Sequence, residues 1–173
     1  PGITMSAMKL AKTSPNGQNI TVVLNSAPAL PSDQLPSEIF DYCDVLSPNQ
    51  TELSILTGGL PTVTIEEAIT ASNFLLKKHP NLKNVLTTMG ENGSLLVNSD
   101  GSSHHSPSVP LKNPVVDTVG AGDSYLGSLV FYLSKGEGLT QAMGFAGEIA
   151  GMSVQKKGTQ SSYPLRKDLE ERF

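Results

Sequence analysis

The chain has 173 residues, a formal net charge of −4 at pH 7 and a single cysteine, Cys43. A net negative chain without a Lys/Arg cluster excludes nucleic acid and anionic membrane surfaces as expected partners. One cysteine excludes an internal disulfide and is typical of a reducing compartment, so we expect a cytoplasmic protein, with the nucleus as the alternative.

The first half of the chain alternates helix-like and strand-like segments. Apolar residues at helical spacing predict helices, and short β-branched or apolar runs predict strands. In chain order we expect a helix over 3–13, a strand over 20–24, a loop over 28–36, a strand over 44–46, and helices over 49–57 and 64–79.

The second half continues the alternation. We expect strands over 84–88 and 94–97, a hairpin-type turn over 98–101, and helices over 121–134 and 139–155. Strands that alternate with helices predict a parallel α/β sheet covered on both faces. In such sheets ligands bind beyond the carboxyl ends of the strands, so we expect the segments that follow the strands to share one rim.

The run from Asp117 to Asp123, Asp-Thr-Val-Gly-Ala-Gly-Asp, directly precedes an apolar stretch. It places small residues and a carboxylate at a predicted helix N-terminus, where unpartnered N–H groups suit an anion. Asp and Gly are also ordinary helix caps, which is the structural alternative. A carboxylate such as Asp123 would repel an anion bound at this helix N-terminus. Its presence is explained if it takes a proton from a hydroxyl that attacks a phosphate.

This run resembles the C-terminal signature of the ribokinase-like sugar kinases, also called the phosphofructokinase-B type. Three further segments carry the same resemblance, at 25–29 (Asn-Ser-Ala-Pro-Ala), 49–58 and 153–164. The resemblance implies a three-layer α/β/α fold with a Rossmann-like sheet. It also implies that residues 1–173 are the C-terminal, nucleotide-binding and catalytic-loop portion of such a kinase, without the N-terminal strands, the Gly-Gly sugar motif and the lid.

The resemblance implies roles for the loop itself. Asp123 is then the catalytic base and contacts the sugar, and Gly120, Ala121 and Gly122 form the anion hole. Phosphoryl transfer depends chiefly on positioning and on neutralising the phosphoryl oxygens, which agrees with these roles. The chain contains no Gly-Lys-Ser/Thr motif, which argues against a P-loop enzyme.

Nucleotide contacts are implied at three places besides the loop. Asn49 and Glu52 match the family's Asn-x-x-Glu motif, with Glu52 holding Mg²⁺ through water. The alternative is a polar first turn of a helix, where Glu is favoured in any case. The implied ATP-binding residues are Asn49, Thr88, Met89, Gly90, Glu91, Asn92, Gly93, Gly122, Asp123 and Gly147, where the family often has Asn in place of Gly147.

A potassium site is also implied, with mainly main-chain oxygens as ligands. The positions that match the family are Asp117, Val119, Ser153, Lys156, Gly158 and Ser162. A cation there would add positive potential beside the anion hole. The alternative is that the segment after Ser153 is only a helix C-terminus and a loop.

The tail at 153–164 narrows the resemblance to the members that act on ribose. It implies ATP-dependent phosphorylation of D-ribose to D-ribose 5-phosphate, with Mg²⁺ and K⁺ as cofactors, ATP and D-ribose as partners, and a homodimer in full-length relatives. The alternatives are another sugar or nucleoside kinase of the family, or an inactive fragment that binds nucleotide or protein. His104 and His105 lack further ligands at metal spacing, so we expect a solvated loop there.

Overall fold

The computed structural model describes residues 2–31 and 34–169. Its helices are α1 (Gly2–Thr13), α2 (Gln50–Leu56), α3 (Ile65–Lys78), α4 (Ala121–Ser134), α5 (Leu139–Ser153) and α6 (Arg166–Leu169). Its strands are β1 (Val23–Asn25), β2 (Val45–Ser47), β3 (Asn84–Thr88), β4 (Ser94–Asn98) and β5 (Ser103–Ser106). Short 3₁₀ turns cover Gly17–Asn19, Ser37–Tyr42, Gly90–Asn92 and Gln160–Ser162.

The chain folds as two compact units. The first contains the residues up to Met89 together with Leu95–His105, and the second contains Gly90–Ser94 and the chain from Ser106 onward. The first unit therefore holds α1 to α3 and most of the sheet. The second holds α4, α5 and the segment that follows α5, which includes α6 and is called the tail below.

The strands form one five-stranded sheet in the order β1-β2-β3-β4-β5. The pairs β1/β2 and β2/β3 are parallel, with Leu24 opposite Leu46 and Leu46 opposite Val85. The connections from β3 to β4 and from β4 to β5 are too short for a parallel crossover, so these strands run antiparallel. The expected α/β fold is confirmed, and its parallel part is limited to β1, β2 and β3.

Two expectations about the strands need correction. The first strand begins at Val23 and not at Ile20, because the N–H of Val22 donates to the Asp44 carboxylate at 2.8 Å. The expected loop at His104 and His105 is the edge strand β5, in which His104 is exposed. A polar edge strand resembles a loop in sequence, because it lacks the alternating apolar residues by which a strand is predicted.

The core of the first unit lies between the sheet and its helices. Helix α3 begins at a capping box, in which the Thr64 side chain accepts from the Glu67 N–H and Glu67 accepts from the Thr64 N–H. Its buried side, which includes Ala71 and Leu75, belongs to the same apolar cluster as Leu46 and Val85. The predicted helix at 64–79 is thus confirmed, with its start defined by the predicted cap.

Asp44 is a buried carboxylate that joins α1 to the sheet. It forms ion pairs with Lys12 of α1 and with Lys83, whose Nζ lies 2.7 Å from Oδ1. Burial alone would raise the pKa of Asp44, but the hydrogen bonds from Lys12, Lys83 and the Val22 N–H outweigh it and hold the pKa below its ordinary value. Asp44 therefore stays ionised in the folded chain at neutral pH.

Cys43, next to this carboxylate, is fully enclosed by the first unit. Burial raises the pKa of its thiol to about 12, despite opposing hydrogen bonds from the backbone at Leu24 and Val45. A thiol with so high a pKa is a structural residue and not a nucleophile.

Helices α4 and α5 pack on each other in the second unit. Tyr125 of α4 is buried and donates its hydroxyl to Ser94 Oγ at 2.9 Å, which connects the helix to the start of β4. Another side of α4 is partly open, since Phe131 is 54% exposed and a Cβ on Gly127 would meet no described atom within 4 Å. No helix in the described ranges combines the length and the apolar character needed to cross a bilayer.

Candidate functional site

The start of α4 presents unpartnered backbone donors. Gly120 is the N-cap residue in the left-handed region, at φ 80°, and its carbonyl accepts from the Ser124 N–H at 2.9 Å. The Ala121 N–H donates to the Thr118 carbonyl at 3.2 Å, whereas those of Gly122 and Asp123 find no acceptor among the described residues. The turn is therefore suited to an anion.

Gly120 is fixed by close neighbours as well as by its conformation. A Cβ at this position would lie 3.0 Å from the Tyr163 hydroxyl oxygen and 3.3 Å from Thr159 Cα. Both the positive φ and the close approach of the tail therefore require glycine. The tail segment that follows α5 thus packs directly on the loop that precedes α4.

Asp123 is the third residue of α4, and its side chain is exposed. It lines a cleft of about 770 Å³ in the second unit, together with Gly127 and Phe131 of the same helix and Tyr163 and Arg166 of the tail. Within the described part of the chain its carboxylate makes no hydrogen bond or ion pair. A carboxylate without a fixed partner at the mouth of a cleft is available to accept a proton.

Asp117 connects the loop before α4 to the tail. Its Oδ1 accepts from the Val119 N–H and its Oδ2 accepts from the Gly158 N–H, both at 3.0 Å. These hydrogen bonds from Val119 and then Gly158 lower the pKa of the Asp117 carboxyl below its ordinary value. Three of the six predicted potassium-site residues are therefore drawn together through one carboxylate.

The other three predicted potassium-site residues follow α5 or end it. Ser153 is buried, its hydroxyl donates to the Ala150 carbonyl at 2.8 Å, and its own carbonyl accepts from the Lys156 N–H at 3.1 Å. Ser162 is also buried, and its hydroxyl donates to the Thr159 carbonyl at 2.6 Å. Neither serine hydroxyl is therefore an uncommitted donor, although their oxygens keep free lone pairs.

Asn49 and Glu52 form a capping box at the start of α2. Asn49 Oδ1 accepts from the Glu52 N–H, and Glu52 Oε2 accepts from the Asn49 N–H, both at 2.9 Å. Ser26 Oγ also lies 3.4 Å from Glu52 Oε2. The alternative stated above, a polar first turn of a helix, therefore describes the local structure correctly. The Asn49 amide nitrogen and Glu52 Oε1 have no partner in the described residues and remain open to a ligand.

Thr88 joins the same group at the end of β3. Its N–H donates to the Pro48 carbonyl at 3.0 Å, and it forms an isolated parallel bridge with Asn49. The first unit therefore brings Ser26, Asn49, Glu52 and Thr88 together beyond the carboxyl ends of its parallel strands. This is the rim at which α/β sheets bind ligands.

The turn that follows Thr88 has a strong structural requirement. The Met89 side chain is buried in the apolar core, so only its backbone is offered to a ligand. Gly93 has a φ of 85°, and a Cβ there would lie 2.1 Å from the Ser106 carbonyl oxygen. Glu91 and Asn92, between them, are exposed.

Gly147, the remaining predicted nucleotide contact, lies within α5. The residue is half-buried, and a Cβ built on it would meet no atom within 4 Å. Its neighbour Glu148 adds a negative charge on the same helix. The glycine is therefore not required by packing among the described residues.

Metal ligation is limited to few side chains. Among the described residues, no group of three or more His, Cys, Asp or Glu side chains is arranged to hold a metal ion. A divalent ion would thus rest on few carboxylates and on water, as Mg²⁺ often does.

Sequence reasoning missed two neighbours of the site. Ser26, beside Glu52, belongs to a segment that carries the resemblance, but no role was attached to it. Tyr163, beside Gly120, belongs to the segment 153–164 that carries the resemblance, but the resemblance implies no role for it. Contacts between residues so far apart in the chain leave no local pattern in the sequence.

The profile of the pfkB family carbohydrate kinases matches residues 4–166. The ribokinase of Dictyostelium discoideum is 32% identical over 176 aligned residues, covering 96% of this chain and 54% of that protein. The deoxyribokinase of Salmonella typhimurium is 41% identical over 146 residues, covering 84% of this chain and 45% of that protein.

Solved structures agree with the sequence matches. A ribokinase of Arabidopsis thaliana complexed with ribose and ATP superposes with a TM-score of 0.84 at 32% identity. The match covers 99% of this chain and 52% of that chain. The chain therefore spans about half the length of the relatives it matches.

Proposed function

Since this chain belongs to the pfkB family of carbohydrate kinases, we propose that it carries the nucleotide-binding and phosphoryl-transfer part of a kinase that phosphorylates D-ribose at its 5-hydroxyl with ATP. The observation that carries the proposal is the first turn of α4, where Asp123 stands beside two unpartnered N–H groups. Because the chain spans about half of its relatives, phosphorylation is proposed for the whole kinase domain and nucleotide binding for these residues.

Asp123 acts as the base in this proposal. It takes the proton of the sugar hydroxyl as the oxygen attacks the terminal phosphorus of ATP, and the bond from that phosphorus to the bridging β-phosphate oxygen breaks to release ADP. The N–H groups of Gly122 and Asp123, which have no other acceptor in the described residues, donate to the phosphoryl oxygens. Ala121 supports the turn through its bond to Thr118, and Gly120 gives the backbone its left-handed start.

The first unit, taken by itself, also offers groups suited to a nucleotide. In this proposal the Asn49 amide nitrogen donates to a phosphate, and the turn at 88–93 offers its backbone to a nucleotide as well. Glu52 Oε1 fits an ion held through water, because Oε2 is already engaged in the capping box. A magnesium ion held there would neutralise negative charge on the phosphates.

A monovalent cation fits beside the anion turn. Asp117 fixes Val119 and Gly158 through their N–H groups, which leaves their carbonyl oxygens free to face a cation. A potassium ion held there would add positive potential near the start of α4. The residues present are compatible with such a site, since most of its ligands are main-chain oxygens.

A second candidate substrate is 2-deoxyribose. The Salmonella deoxyribokinase is 41% identical to this chain, more than the 32% of the Dictyostelium ribokinase. Both sugars present a primary hydroxyl to the same base, so Asp123 and the anion turn serve either one.

The test combines a binding and a turnover measurement on the 173-residue chain. Calorimetric titration with MgATP measures binding, and ADP release is followed with D-ribose or 2-deoxyribose. Asp123→Asn should abolish any sugar-dependent ADP release, whereas Asp100→Asn, in an exposed turn of the first unit, should not.

The outcomes separate the alternatives. Faster release with deoxyribose than with ribose would assign the second substrate. ATP binding without turnover would identify a nucleotide-binding portion that needs more of the kinase domain. A folded chain that binds no ATP would overturn the proposal.

A further inference from the structure

Tyr163 packs against the turn that begins α4. A Cβ on Gly120 would lie 3.0 Å from its hydroxyl oxygen, so this oxygen approaches the backbone where no side chain intervenes. Tyr163 follows the 3₁₀ turn Gln160–Ser162, and its own N–H donates to the Gln160 carbonyl. The position of the ring is thus set by the tail segment.

The Tyr163 hydroxyl is available to a ligand. The residue is half-buried, and its hydroxyl forms no hydrogen bond with another residue in the described ranges. Tyr163 and Asp123 line the same cleft. A phenolic hydroxyl donates one hydrogen bond, and such a bond is stronger when the acceptor oxygen is anionic.

We infer that the Tyr163 hydroxyl is a further anion-binding group of this site and donates a hydrogen bond to the terminal phosphoryl group of a bound nucleoside triphosphate. The inference rests on the proposed function, which places that phosphoryl group at the first turn of α4. Asp123 must reach the hydroxyl that attacks the terminal phosphorus, so the group nearest this turn is the terminal one. The negative charge of that phosphoryl group is then stabilised by the N–H groups of Gly122 and Asp123 and by the Tyr163 hydroxyl.

The test compares two nucleotides that differ in the terminal phosphoryl group. The affinities of the unmodified chain and of Tyr163→Phe are measured by calorimetry for the β,γ-imido analogue of ATP and for ADP, both with Mg²⁺. We expect Tyr163→Phe to weaken binding of the triphosphate by about 3–10-fold, the effect of one hydrogen bond. Binding of ADP should change by less than about twofold, because ADP lacks the group that Tyr163 contacts.

Tyr42→Phe is the control. It loses the same atom, but Tyr42 belongs to the first unit, where its hydroxyl donates to Glu38 Oε1 at 3.3 Å. Its substitution should leave the ratio of triphosphate to ADP affinity unchanged. Thermal melting of each variant by circular dichroism reports the stability of the fold.

Three results would overturn the inference. Equal triphosphate affinity in Tyr163→Phe and the unmodified chain would show that the hydroxyl does not contact the bound nucleotide. An equal loss for ADP and the triphosphate, or a lower melting temperature with an unchanged affinity ratio, would assign it a structural role. If the unmodified chain binds neither nucleotide, the proposed function fails and the inference fails with it. The other results leave nucleotide binding by the unmodified chain intact and overturn the inference alone, so the two failures are distinguishable.

Discussion

The Asp117 carboxylate accepts a hydrogen bond from the Gly158 N–H at 3.0 Å, across 41 positions of the chain. Its second oxygen holds the Val119 N–H at the same distance. One side chain therefore fixes the loop before α4 to the tail after α5. The geometry of the anion turn depends on this connection as much as on its glycines.

Asp117→Ala should loosen both segments. Without the carboxylate, the N–H groups of Val119 and Gly158 lose their acceptor, so their hydrogen exchange should accelerate roughly tenfold, the factor that one charge-assisted hydrogen bond contributes. Exchange followed by NMR measures this. Asp100→Ala is the control, because Asp100 accepts from Ser102 in a similar exposed turn of the first unit. Unchanged exchange at Val119 and Gly158 in Asp117→Ala would show that the carboxylate does not hold the two segments.

Asp44→Asn should destabilise the first unit in a pH-dependent way. The variant loses the charge that pairs with Lys12 and Lys83, so its free energy of unfolding at neutral pH should fall by about 2–3 kcal/mol. The pKa of Asp44 in the fold lies below its ordinary value of 3.8. Its contribution is thus complete above that value and is lost as the pH falls through the folded-state pKa.

Urea denaturation at a series of pH values measures this difference. The gap between Asp44→Asn and the unmodified chain should be widest near neutral pH and should close below about pH 4. Asp41→Asn, at an exposed carboxylate nearby, should change the free energy by less than about 0.5 kcal/mol. A gap that is independent of pH would contradict the role of the charge.

Gly127→Ala should stabilise the second unit. Glycine within a helix costs about 0.5–1 kcal/mol relative to alanine, and a Cβ at Gly127 would meet no atom within 4 Å. Gly93→Ala should have the opposite effect, because its left-handed backbone alone costs alanine about 1–3 kcal/mol and its Cβ would collide with the Ser106 carbonyl. The melting temperature should rise in Gly127→Ala and fall in Gly93→Ala, relative to the unmodified chain. A lower melting temperature for Gly127→Ala would indicate that something covers this face of α4.

Cys43 should resist thiol reagents in the folded chain. Burial raises the pKa of its thiol to about 12, so the reactive thiolate is about a thousandfold scarcer than in a free cysteine. Labelling with an aromatic disulfide at pH 8 should be negligible in buffer and should reach one thiol per chain in urea. Equal labelling rates in the two conditions would contradict the buried position.

The sequence predicts the strongly patterned elements well. Helix α3 shows apolar residues at helical spacing and the Thr64/Glu67 cap, and the structure places it at Ile65–Lys78. Strand β5 was missed because its His and Ser residues carry no alternating apolar pattern. A strand on an edge is defined by the neighbour it pairs with, and that neighbour is not visible in the local sequence.

The residues of the candidate site also differ in how well the sequence predicts them. Residues near one another in sequence, such as Gly120 to Asp123, were identified from their own spacing. The capping role of Asn49 and Glu52 also follows from spacing, since the two residues are three apart. The partners of the anion turn, Gly158 and Tyr163, depend on how the tail returns to α4, which no local propensity encodes.

The requirement for glycine at position 93 has an evolutionary consequence. Because any side chain there would collide with the Ser106 backbone, selection for folding alone retains the glycine, even in a descendant that has lost its chemistry. An invariant glycine at position 93 among relatives would therefore be evidence that the fold is kept, and not that nucleotide binding is kept.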